Sequence, residues 1–198
     1  MAAKRNGEGD KREQILRAAA TVFASKGFFG ARVSEIAAKA KVADGTIYLY
    51  FKSKEEILAA LFALAMTQFL ERARGELATL EGAQARLERL AQFHLEQVGS
   101  NRDLAIVFQV ELRHSQKFME RVSTTILADY LKLIQQVIGE GQAQGVWRKE
   151  LPASTMAKCF FGMLDEMATN WVLSHRQYPL GDLAPVVSDL FIGGLRAR

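Results

Sequence analysis

At 198 residues, with 49% apolar and 24% charged side chains, the chain is long enough for one large core or two small ones and has an ordinary soluble balance. Its single cysteine, Cys159, excludes an intramolecular disulfide and a cysteine-built zinc cluster, and no apolar run reaches the roughly 18 residues that span a bilayer. Net charge is +4, but of 26 Lys and Arg and 22 Asp and Glu, eleven and five fall in residues 1–54, leaving +6 there and −2 elsewhere. A basic head on a faintly acidic body suits a polyanion bound at one end, and charge alone does not separate DNA from RNA or a membrane surface. Three prolines, abundant Ala, Leu, Glu, Arg and Gln, and no alternating run bounded by turn residues predict an all-α protein. The charged N-terminus does not read as a signal peptide, which points to the cytoplasm.

In chain order, residues 1–10 are polar and Gly-containing and read as a disordered arm. A first helix is predicted from Lys11 to Lys26, with Ile15, Ala19, Val22 and Phe23 inward and Gly27 as its stop. Val33, Ile36, Ala37 and Ala40 then share one side of a short helix, Lys41-Val42-Ala43 makes a tight break, and a second short helix starts near Asp44 or Gly45. Two helices of about eight residues joined by about four form a helix-turn-helix, whose second helix can enter the major groove of DNA. Ser53 caps the next helix, with Glu56 three residues on completing a capping box. Lys54 sits in that first turn, where its charge opposes the helix dipole unless a phosphate lies nearby. This gives a three-helix helix-turn-helix DNA-binding domain over 11–54 and a larger helical body over 55–198.

The helix from Ser53 continues through Leu58, Leu61, Phe62, Ala65, Met66, Phe69 and Leu77, about 25 residues or 38 Å, long enough to serve both halves. Further helices are predicted at 82–98, 102–113, 116–144, 153–175 and 181–196, about nine in all, with Asn101 and Ser115 as caps.

The motif around residues 33–54 resembles the DNA-binding domain of TetR-family transcriptional repressors. The matching residues are Ile36-Ala37, Val42, Gly45-Thr46-Ile47-Tyr48, Tyr50-Phe51 and Ser53-Lys54-Glu55-Glu56. Within it, Ile47 and Phe51 take the core role. Tyr48, Thr46, Leu49 and Gly45 are left for the groove, and Tyr50 stands at its edge. Arg32, Ser34, Lys52 and Lys54 would contact phosphate and set register. Two departures stand out: Lys41 occupies a place where the family commonly has Gly, and Ala43 one where it has Ser or Thr. Lys41 is therefore expected to accept a mildly strained backbone in return for a phosphate contact, and Asp44 to replace the lost cap.

In the body, Leu104, Val107, Phe108 and Leu112 stripe one helix, and Phe160, Met163, Leu164, Met167 and Trp171 another, with Trp147 between. These residues serve as ordinary core or line a cavity for a long apolar ligand. Gln109, Glu111, Arg113, Asp165 and Asn170 accompany them, and an Arg113–carboxylate pair accounts for some of these. Cys159 reads as a small buried thiol. With residues 101–113 and 162–166 added, the chain looks like the FadR-type branch of the family, whose members repress fatty-acid degradation genes and release DNA on binding long-chain acyl-CoA. That resemblance implies an apolar tail in the cavity and a polyanionic head at basic residues, with Arg102, Arg113, Arg86 and Arg89 as candidates.

Enzyme signals fail: His94, His114 and His175 lack metal-ligand spacing, and Asp165-Glu166 point about 100° apart on a helix. No metal site, cofactor or catalytic residue is predicted. Two terminal stripes, Ala157, Phe161, Leu164, Ala168 and Val172, then Val186, Val187, Leu190, Phe191 and Gly194, can bury a face against a symmetry mate. The TetR resemblance implies that this is the dimer interface, a four-helix bundle, and that residues 55–198 form the ligand-binding and dimerisation domain. The expected protein is a homodimeric repressor on a palindromic operator. The alternatives are a repressor responding to another hydrophobic molecule, an acyl-CoA carrier or enzyme, and a nonspecific DNA binder.

Overall fold

The first helix, α1 (Ala2–Gly30), buries Ile15, Leu16, Ala19 and Phe23 on a single face. It breaks at Gly27, whose φ of 72° lies in the left-handed region that glycine enters without steric cost. The stop is where the sequence placed it. The backbone runs helically back to Ala2, however, where the sequence predicts a disordered arm: no proline interrupts the first ten residues, so the turn nucleated beyond Lys11 propagates backwards. The computed structural model describes residues 2–114, 126–174, 176 and 178–196.

Helices α2 (Val33–Lys39) and α3 (Asp44–Tyr50) form the helix-turn-helix. The turn between them is a Schellman closure: Val42 N–H donates to Ala37 O at 3.0 Å and Lys41 N–H to Ala38 O at 3.1 Å. That motif needs its intervening residue left-handed, and Lys41 has φ 54°, the only non-glycine with positive φ among the described residues. The strain expected at Lys41 is real. Asp44 does not replace the missing cap. The cap position is Ala43, without a side-chain bond, and Asp44 stands in the first turn, where its charge favours the helix dipole.

Ser53 accepts from Glu56 N–H at 3.2 Å and starts α4 (Lys54–Ala78), 25 residues long as predicted. The returning half of the box shifts by one residue, because the Glu56 carboxylate accepts from Lys52 N–H at 2.7 Å. The body comprises α5 (Ala83–Gly99), α6 (Arg102–Gln109), α7 (Ile126–Ala143), α8 (Ala153–Leu173) and α9 (Ala184–Leu195), with 3-10 turns at Glu111–His114 and Leu180–Leu183. Asn101 caps α6 through Leu104 N–H at 3.1 Å. The predicted cap Ser115 lies outside the described residues, as does the first part of the helix predicted at 116–144. The result is nine α-helices and no strand among the described residues, the all-α class read from composition. Among the described residues no helix is long and apolar enough to cross a membrane.

Two cores result. One gathers Phe23, Ile36, Ile47, Phe51 and Ile57 in the head and also takes in Val107 and Leu112 from the body. The other runs through α5, α7, α8 and α9. Trp147 belongs to the second: its indole sits where a side chain on Gly141 would, 2.2 Å from the position of a Cβ there, and Arg148 N–H donates to Leu195 O at 2.9 Å. Trp147 thus staples the end of α7 to the end of α9.

Candidate functional site

The outer face of α3 is built as the sequence suggests. Ile47 and Phe51 are buried, so the side chains between them point outward: Tyr48 is 58% and Leu49 82% exposed, Thr46 and Tyr50 are half-buried. No protein atom lies within 4 Å of where a Gly45 Cβ would sit, so the missing side chain opens only the solvent side of the helix start. Arg32, Ser34 and Lys52 are exposed around this face, as are Lys39 and Lys41, two of the charges that make the head basic. Glu35 fixes the entry to α2, accepting from the Lys26 ammonium and from Arg32 N–H at 3.0 Å; the Lys26 bond first, then the Arg32 bond, hold its carboxyl below the ordinary value. Gln14 ties α1 to the turn by donating to Ala40 O at 2.8 Å, and the Arg12 guanidinium lies over the Phe51 ring at 5.2 Å.

Lys54 behaves differently from expectation. Its ammonium donates to Ala31 O at 3.0 Å and Phe29 O at 3.3 Å and lies 4.7 Å from the Phe28 ring centroid. These contacts answer the unfavourable charge in the first turn of α4 and pin that helix to the α1–α2 connection. One of its three donors is left for a phosphate.

The body holds a cavity of about 500 Å³ between α4, α5, α6, α7 and α8, within the size range of small-molecule sites. Of the residues predicted to line it, Leu104, Phe108 and Leu112 do so. The others do not. Phe160 packs on Phe191 at 5.0 Å, Trp171 donates its indole N–H to Tyr178 O at 2.9 Å, and Met163, Met167 and Trp147 pack against the body core. The α8 residues that reach the cavity are Phe161 and Asp165, one turn apart on a neighbouring face. The rest of the wall comes chiefly from Phe62, Met66 and Phe69 on α4, His94 and Val98 on α5, and Tyr130 on α7.

Three of the four predicted arginines are occupied elsewhere. Arg86 pairs with Glu140 at 2.7 Å and donates to Leu80 O at 2.9 Å. Arg89 bridges Glu76 at 2.9 Å and Glu96 at 3.1 Å, and the Glu76 bond raises its pKa. Arg102 donates to Val172 O at 3.0 Å and stacks 4.8 Å from the Trp171 ring. The Arg113 side chain lies outside the described residues. Among the described residues the cation that lines the cavity is Arg72 on α4, exposed at the rim, where it donates to Gln97 and stands 5.7 Å from the Phe93 ring beside Gln68, Ser100 and Asn101. A reading of α4 by face would have found it, since Arg72 follows Gln68 and Phe69 by four and three residues.

The two sites are mechanically joined. Leu104 and Phe108 on α6 face the cavity, Val107 on the same helix is fully buried in the head core, and Leu112 in the next turn touches both. Phe62 and Phe108 meet edge to face at 5.3 Å where cavity and head adjoin. Glu111 completes the junction: its carboxylate accepts from Phe28 N–H at 2.6 Å and lies against Gly27, where an added Cβ would stand 3.4 Å from it.

Residues 15–61 match the bacterial regulatory proteins of the tetR family, and residues 62–194 match the C-terminal region of YsiA-like proteins. The chain belongs to the TetR family. Over 185 residues the regulator is 37% identical to the fatty acid metabolism regulator protein of Bacillus subtilis strain 168, spanning 93% of this chain and 95% of that one. Its fold is similar to the fatty acid degradation regulator FadR from Bacillus halodurans (TM-score 0.87, 38% identity), covering 93% of this chain and 99% of that one. The FadR of Bacillus subtilis in complex with stearoyl-CoA is likewise similar (TM-score 0.88, 36% identity), with 93% and 99% covered.

A second outward face lies on the regulator's last two helices. Gly162 and Leu173 on α8 and Val186, Leu190, Gly193 and Gly194 on α9 are exposed, Val186 by 68% and Leu190 by 70%. Most of the residues predicted for this face, Ala157, Leu164, Ala168, Val172, Val187 and Phe191, are instead buried within the protomer, because they lie on the side of each helix that meets α5 and α7. Cys159, expected to be buried, is exposed on the same outer side of α8.

Proposed function

We propose that this TetR-family regulator is a homodimeric repressor of fatty-acid degradation genes that binds a palindromic operator and leaves it when a long-chain acyl-CoA fills the cavity. The observation that carries this reading is the double allegiance of α6, one face in the cavity and another in the core of the DNA-reading head. A ligand that displaces Leu104 and Phe108 must also shift Val107 and the Glu111–Phe28 bond. The head then turns relative to its partner. The FadR-named relatives, one of them holding stearoyl-CoA, support the choice of ligand. The mostly apolar wall suits the acyl tail, and Arg72 at the rim suits an anionic head group. The exposed faces of α8 and α9 would meet a second copy, setting two recognition helices about one DNA turn, roughly 34 Å, apart. The effector is a ligand and not a cofactor, the site performs no reaction, and the protein works in the cytoplasm, where its operator and its acyl-CoA occur together.

Titration of acyl-CoAs of rising length into a labelled operator complex tests this. Each buried methylene contributes about 0.8 kcal/mol, so release should improve with chain length until the cavity is full, and free CoA should do nothing. Release by no acyl-CoA, with another apolar molecule copurifying in the cavity, would retain the repressor and remove the fatty-acid assignment.

A further inference from the structure

Most of the cavity wall is apolar, but one part is not. His94 and Tyr130 are buried side by side, with His94 Nδ1 and the Tyr130 hydroxyl 2.9 Å apart. Phe69 stands edge-on to both, at 5.7 Å and 5.0 Å, and Phe161 at 6.1 Å and 6.0 Å. A buried polar pair in such a ring of aromatics must have its hydrogen bonds accounted for. Among the described residues the Tyr130 hydroxyl has His94 as its sole hydrogen-bond partner, so its proton is used when it donates to Nδ1. With Tyr130 donating to Nδ1, the neutral ring carries its proton on Nε2. No protein acceptor takes this second N–H among the described residues, yet no buried side-chain nitrogen is sealed without a partner. Nε2 therefore opens onto the cavity that His94 lines.

We infer that His94, held in this tautomer by Tyr130, is a hydrogen-bond donor that selects ligands carrying a neutral oxygen acceptor, the thioester carbonyl of an acyl-CoA. Placement agrees with this role. Gln97, which accepts from the rim residue Arg72, lies three residues along α5 from His94, a rise of about 4.5 Å. A carbonyl at the junction of tail and head group would reach His94 with the tail beyond it and the head group passing Arg72. Charge agrees as well. Burial pushes His94 down to about 4, despite a raising influence from Asp165, so the ring is neutral and no match for a carboxylate. A free fatty acid would have to bury its anion against a neutral imidazole.

The inference rests on the acyl-CoA reading and is tested with the full protein and two probes, stearoyl-CoA and its S-octadecyl thioether, which lacks only the carbonyl oxygen. Wild type should bind the thioester roughly tenfold tighter, the worth of one hydrogen bond. His94→Phe should bring the two affinities within about twofold by weakening the thioester alone, since the thioether never made the bond. Retained thioether and operator binding shows that the variant is folded. His94→Gln keeps an N–H and should keep most of the preference, and Tyr130→Phe, which frees the tautomer, should lose part of it. Equal binding of the two probes by wild type, a preference that survives His94→Phe, or a loss in His94→Gln as large as in His94→Phe overturns the inference while leaving the acyl-CoA reading intact. Binding of neither probe removes that reading, and this inference with it.

Discussion

The Glu111–Phe28 bond gives the sharpest handle on how the body reaches the head. Its carboxylate accepts a backbone N–H at 2.6 Å across 83 residues of sequence, and Phe28 belongs to the same connection that Lys54 grips from α4. Substituting Glu111→Ala leaves that N–H without its acceptor, at a cost of about 1–3 kcal/mol for a charge-assisted bond in a half-buried site. Val107 and Leu112 still seat α6 in the head core, so the fold survives and both ligands still bind. What changes is the transmission. An allosteric coupling of about 1–3 kcal/mol is of the same size as this one bond, so its loss should cut the ratio of operator affinities with and without stearoyl-CoA to a few-fold. Fluorescence anisotropy of a labelled operator, measured with and without saturating ligand, reads that ratio directly. Glu111→Gln, which keeps an acceptor oxygen at the same reach, should fall between. An unchanged ratio in Glu111→Ala, with both affinities intact, would show that transmission runs through α4 alone.

Tyr48→Ala removes an exposed ring from α3 and should weaken operator binding by about 1–3 kcal/mol without moving the melting temperature; equal affinity would take Tyr48 off the reading face. Lys41→Gly relieves a left-handed lysine and should stabilise the fold by up to roughly 1 kcal/mol in denaturant melts, and a loss of stability would mean that the lysine side chain outweighs the strain. Leu190→Glu places a charge on the exposed face of α9 and should give monomers in sedimentation, with operator binding lost and helix content retained. His94 binds a proton in the unfolded chain near pH 6.5 but in the folded one only near pH 4, so its contribution is complete above 6.5 and is lost as pH falls between these values. The loss approaches ~3 kcal/mol, and His94→Gln should show a shallower fall in that window.

What the sequence revealed was written in short stretches. The stop at Gly27, the strained turn at Lys41, the caps at Ser53 and Asn101 and the full length of α4 each depend on a few adjacent residues, and all stand in the structure. The cavity is a different matter. Helix α8 carries apolar residues around most of its circumference, because it packs on α7 and α6 and presents an outer face as well. Its periodicity therefore could not say that Phe161 and Asp165 face the ligand while Phe160 and Trp171 face the core. At 100° per residue, a choice wrong by one position rotates the wall away. The pairings of Arg86 and Arg89 were out of reach of the sequence for a related reason. Arg86 and Arg89 find acids 54 and 13 residues distant, pairings that only the fold brings together. Glu111 was noticed as a polar residue in an apolar run, but its partner, a backbone N–H in the head, has no mark in sequence.

The most direct measurement is the affinity of stearoyl-CoA for the protein alone and for the protein saturated with operator, by calorimetry under one salt condition. Linked sites must oppose each other equally in both directions. The account predicts that operator weakens stearoyl-CoA binding by about 5–150-fold, and that stearoyl-CoA weakens operator binding by the same factor. Tight stearoyl-CoA binding of equal strength with and without operator would contradict it, since the helix that serves both sites would then transmit nothing.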